Sequence, residues 1–92
     1  MFRKLAAALG ARAGGYARYD EGLNSLIVVR QGETVERRIP CLNLSPRMLR
    51  VYGVEIQGDA IDVFVGPLAS TRPDRRLRYF FSSLTGGSTH RL

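Results

Sequence analysis

The densest chemistry in the chain lies in residues 72–81, where Arg72, Arg75, Arg76 and Arg78 stand beside Tyr79, Phe80 and Phe81. Guanidinium forks grip phosphate oxygens in pairs, and an aromatic face stacks on an unpaired base. Arg72, Arg75, Arg76, Arg78 and Tyr79 are therefore the expected surface for an anion or a nucleic acid. The plainer reading makes the loop arginines solubilising and turns Phe80 into the core. Strand alternation would then put Tyr79 and Phe81 on the opposite face.

Other cationic groups are weaker candidates. Arg37 and Arg38, with Arg30 across an expected hairpin, have Glu33 and Glu36 as neutralising neighbours. Arg47 and Arg50 are three apart and would share one face of a helix.

Residues for catalysis are scarce. The chain has one histidine, His90, and one cysteine, Cys41. A nucleophile needs a base beside it, and His90 is third from the last residue given, where fraying opposes fixed geometry. One Cys and one His cannot close a zinc site. Glu55, Asp59 and Asp62 crowd a second expected hairpin, but alternation turns Glu55 and Asp62 outward, and Asp59 suits a turn. None of the glycines fits a phosphate-cradling loop. The expectation is a protein without catalytic residues, metal or cofactor.

Composition narrows the class further. The chain of 92 residues has a formal charge of +6, and thirteen of its fourteen cationic side chains are arginine. That balance points to an anionic partner, although GC-rich coding also favours arginine over lysine. A single domain spanning 1–92 is expected, with a thin core, because a chain of this length buries only about two-thirds of its unfolded surface. A lone cysteine requires no oxidising compartment. No window approaches the roughly 20 apolar residues of a membrane-spanning helix.

These residues need elements to position them. Residues 2–13 have the spacing of an amphipathic helix, with Phe2, Leu5 and Leu9 on one face and Gly14-Gly15 as its stop. So short a helix must dock on something, which makes residues 1–15 an arm and Phe2, Leu5 and Leu9 its partner-binding stripe. Residues 1–19 also contain Arg3, Lys4, Arg12 and Arg18 and no acid, the character of a mitochondrial presequence. A retained helix is the reading adopted.

Residues 25–30 and 34–39 flank Gln31-Gly32-Glu33 and predict a β-hairpin, its first strand buried on both faces and its second ended by Pro40. Ser45-Pro46 and Gly53 bracket a short internal helix. Residues 54–57 and 60–65 form a second hairpin around Gly58-Asp59, and 77–82 a fifth strand. The Gly/Ser/Thr-rich segment 83–92 has little to bury and reads as a flexible tail. The expected fold is α+β: a small antiparallel sheet or partly open barrel of about five strands, with an N-terminal amphipathic helix and one short internal helix.

The function expected first is that of a small basic structural or assembly protein, a subunit of a viral particle or ribonucleoprotein, with a protein partner or homo-oligomer implied. The second expectation is a nucleic-acid-binding domain using residues 72–81. The third is an inhibitor or regulator that docks on a host enzyme through a sheet edge or the arm. The corresponding location is the cytoplasm or a viral particle, with mitochondria as the alternative address.

Overall fold

A computed structural model describes residues 15–82 and 88–92. The expected N-terminal helix and its stripe Phe2, Leu5 and Leu9 lie outside these residues, as does the segment 83–87.

Among the described residues there is no helix, and the fold is all-β. Strands β1 (Tyr16–Asp20), β2 (Ser25–Val29) and β3 (Glu36–Pro40) form one antiparallel sheet in that order. Strands β4 (Leu49–Gln57), β5 (Ala60–Pro67), β6 (Arg75–Phe80) and β7 (Ser88–Arg91) form a second. The α+β expectation is thus overturned at the internal helix. The Ser45 carbonyl accepts from the Met48 and Leu49 amides at 3.0 and 2.9 Å, so the Ser-Pro signal does nucleate one turn. The chain then leaves it for β4. A single turn gains too little to propagate, whereas Val51, Val54 and Ile56 gain a ladder against β5 and burial against the core. Gly53 is no helix stop; it follows the β-bulge at Tyr52.

The two expected hairpins form, β2 pairing with β3 and β4 with β5. Gly32 and Gly58 take φ of 81° and 61° in their turns, a region that glycine enters without strain. Two further strands carry no strong periodic signal. β1 extends the first sheet, and β7, in the segment expected to be a tail, pairs with β6 from Arg75↔Arg91 to Arg78↔Ser88.

The sheets pack face to face. Leu26, Val28 and Ile39 from one meet Ile61, Val63, Val65, Leu77 and Tyr79 from the other. The opposite face of β2 is also covered: Ile27 is only 7% exposed, and its register partners are Arg18 and Arg38, whose stems can lie along it.

The loop from Cys41 to Met48 passes between the sheets and is held by Asn24. This residue has φ of 47°, which asparagine tolerates better than most side chains. Its amide nitrogen donates to the carbonyls of Cys41 and Leu44 at 3.1 and 2.9 Å, and its side-chain oxygen accepts from the Tyr19 hydroxyl at 2.5 Å. Tyr79, fully buried, donates to Asn43 in the same loop at 2.8 Å. That anchor fixes the phase of β6, and the phase decides which of its side chains reach solvent.

Candidate nucleic-acid interface

Tyr79 points inward, so alternation sends Arg76, Arg78 and Phe80 to the outer face of the four-stranded sheet. The register completes that face. Asp62 stands between Glu55 and Arg78, Phe64 between Gly53 and Arg76, and Ala60 beside Phe80. On β7, His90 opposes Arg76 and Ser88 opposes Arg78. Arg50 shares the face opposite Gly66, on the β4 side.

The loop 68–74 folds over the Gly66 end. A Cβ at Gly66 would stand 2.9 Å from the Arg72 carbonyl oxygen and 3.2 Å from Pro73 Cα, so only glycine lets the loop approach so closely. The Tyr52 ring lies beside it, its hydroxyl donating to the Ser70 carbonyl. Arg50 stands over the Tyr52 ring, 5.9 Å from its centre.

Electrostatics at the centre are organised by one buried carboxylate. The Asp62 side chain is 3% exposed although it sits on an outer face. Arg78 covers it with a bidentate contact, Nε to Oδ1 at 2.7 Å and Nη2 to Oδ2 at 2.9 Å. The Arg78 hydrogen bonds hold the Asp62 carboxyl below its ordinary pKa, against the opposing effect of burial, with the charges of Arg78, Arg76 and His90 adding to the shift. In return Asp62 raises Arg78 above its own. Arg76 is only loosely drawn in: its Nε is 4.0 Å from Asp62 Oδ1 and, although out of solvent, has no hydrogen-bond partner among the described residues.

The residues expected to bind an anion are therefore divided. Arg76 and Arg78 share the outer face, and Arg72 lies on the loop at its border. Arg75 belongs to the inner-facing set of β6, where Asp74 pairs with it at 3.1 Å and Arg91 stands opposite. Tyr79 is inside the core and cannot stack on a ligand. Its place is taken by Phe80, 41% exposed, and by half-buried Phe64. Phe64 was within reach of sequence reasoning, since it lies two residues beyond outward-facing Asp62. Arg50 and His90 required the register.

The remaining chemistry is dispersed. Cys41 is fully buried, and burial raises its thiol pKa, which keeps it neutral and unreactive at ordinary pH. His90 is on the outer face, away from that core position. Asp59 pairs with Arg30 at 3.0 Å rather than with Glu55 or Asp62. No cluster of three or more potential metal ligands occurs among the described residues, nor does any helix there have the length and apolarity to cross a membrane. Compared with known proteins, the chain matches no family model, no curated sequence and no solved structure.

Proposed function

We propose that the protein is a non-catalytic nucleic-acid-binding subunit that holds its ligand on the outer face of the four-stranded sheet. The observation that supports this is the gathering of three arginines, Arg50, Arg76 and Arg78, on that face against two acids, Glu55 and Asp62. A polyanion supplies counter-charge to cations left without a full partner. Asp62 offsets only part of the cationic charge and is largely spent on Arg78. The test is fluorescence anisotropy of a labelled oligonucleotide against the wild type and the Arg76→Gln/Arg78→Gln double variant. Glutamine keeps much of the apolar stem and removes the charge. Arg38→Gln, on the other sheet, serves as the control. The double variant should bind at least tenfold more weakly and with a shallower salt dependence, the control almost normally. Absence of binding by the wild type at low salt would reject the proposal.

A second reading, a building block of a larger assembly, is favoured by one observation. Leu42 and Met48 are 75% and 72% exposed on the loop tied down by Asn24, and Leu23, 50% exposed, lies in the turn beside that residue. Light scattering over a concentration range tests it. Self-association that Leu42→Ser with Met48→Ser abolishes would support it, and a monomer at every concentration would count against it.

A further inference from the structure

Resting on the nucleic-acid reading, we infer that the ligand is single-stranded and that its bases stack on Phe80 and Phe64, with Arg78 on the phosphate between them and Arg76 on the phosphate beside Phe64. Both aromatics face outward next to small residues. Phe80 is paired with Ala60, and Phe64 with Gly53. Among the described residues, a Cβ built on Gly53 would meet nothing within 4 Å, which leaves space on the flank of Phe64. Phe80 offers an exposed ring, and the missing side chain at Gly53 leaves room beside Phe64; a base is a flat partner suited to both.

The spacing suits a chain rather than a lone phosphate. Phe80 lies across from Ala60, and Phe64 is four residues further along β5, which separates the rings by about 13 Å along the strand. The row containing Asp62 and Arg78 lies between them, and Arg76 stands directly across from Phe64. One cation therefore lies between the two stacking surfaces and a second lies level with one of them, positions that the phosphates of a strand with splayed bases can reach.

The breadth of the sheet disfavours a duplex. Four strands at roughly 4.8 Å spacing span about 14 Å between the outer backbones before side chains are added, and a B-form major groove is only about 12 Å wide. A duplex could touch the arginines through its phosphates, but its stacked bases would never reach Phe80 or Phe64.

The experiment compares a fluorescein-labelled oligo-dT strand, a duplex of equal length, and heparin as a polyanion without bases. The wild type should bind the single strand at least tenfold more tightly than the duplex. Phe80→Ala should weaken single-strand binding about tenfold, leaving the salt slope and heparin binding unchanged. Phe80 is exposed enough for this variant to fold; Phe64→Leu, which keeps most of the bulk, should give a smaller loss in the same direction. Equal affinity for strand and duplex, or Phe80→Ala binding the strand like the wild type, would overturn the inference while leaving the nucleic-acid reading intact. Failure to bind any of the three probes would remove both.

Discussion

Replacing Asp62 with alanine should strengthen nucleic-acid binding at low salt. The outer face carries Arg50, Arg76 and Arg78 against Glu55 and Asp62. Asp62 is the more effective of the two acids, because it lies beneath the guanidinium groups and takes both a 2.7 Å and a 2.9 Å contact from Arg78. Its removal frees about one cation for phosphate. Each phosphate contact on a single strand steepens the plot of log K against log salt by about 0.7. The variant should therefore show a slope steeper by about that amount, and lose roughly 2–3-fold more affinity than the wild type between about 50 and 200 mM salt. Anisotropy titrations at four or five salt concentrations measure the slope, and circular dichroism verifies the fold. Asp62→Asn keeps the volume and one acceptor for Arg78, so it should show the same steepening with less loss of stability. A folded variant whose slope is unchanged would show that Arg78 never reaches phosphate. A folded variant that binds more weakly at low salt would mean that the carboxylate serves to aim Arg78, and that orientation outweighs charge.

Other expectations follow from the same geometry. Asn24→Ala removes three side-chain hydrogen bonds and places alanine at φ 47°, for a loss of about 3–4 kcal/mol by urea denaturation. Asn24→Gly, freed of the backbone strain, should be about 1 kcal/mol better than Ala, and equal midpoints for the two would refute the role given to that φ. Stability should fall in alkali. Burial raises Tyr19 from 10.0 to about 12 and also raises Tyr79 and Cys41, so each contributes fully below its unfolded value and loses that contribution as pH climbs toward the folded one. Urea midpoints should decline from about pH 9 upward, and a flat profile to pH 11 would contradict the burial of these groups. Asp62 acts at the other extreme, its lowered pKa giving stability above the ordinary carboxyl value of 3.8 that is lost as pH drops through the folded one. Gly66→Ala should cost about 1–3 kcal/mol, since the atoms its Cβ meets are backbone. It should also speed proteolysis within 68–74; unchanged melting and cleavage would mean that the loop adapts freely.

Much of the sheet is readable from local signals. The Gly32 and Gly58-Asp59 turns lie between β-branched runs, and the continuous apolar stretch of β2 announces burial on both faces. The outward placing of Glu55 and Asp62 follows from alternation alone. What escapes the sequence depends on partners distant along the chain. Ser45-Pro46 is a sound helix start, but the ladder with β5 outweighs it. β7, Ser-Thr-His-Arg, has no apolar residue and exists because β6 offers an edge. The phase of β6 is undetermined locally, since Leu77, Tyr79 and Phe81 compete with Arg78 and Phe80 for the interior and both sets carry aromatics. Asn43 receiving the Tyr79 hydroxyl and Asp62 receiving Arg78 decide it from 36 and 16 residues away. Arginines and aromatics are evident together in residues 72–81, but which aromatic reaches solvent follows only from the phase of β6.

The most direct test of the binding face is an NMR titration of the labelled protein with oligo-dT, following backbone amides together with arginine and aromatic side chains. Shifts concentrated at Phe64, Arg76, Arg78, Phe80 and His90, with β1–β3 unmoved, are the predicted result. Shifts centred on β1–β3, or none at saturating oligonucleotide, would contradict it.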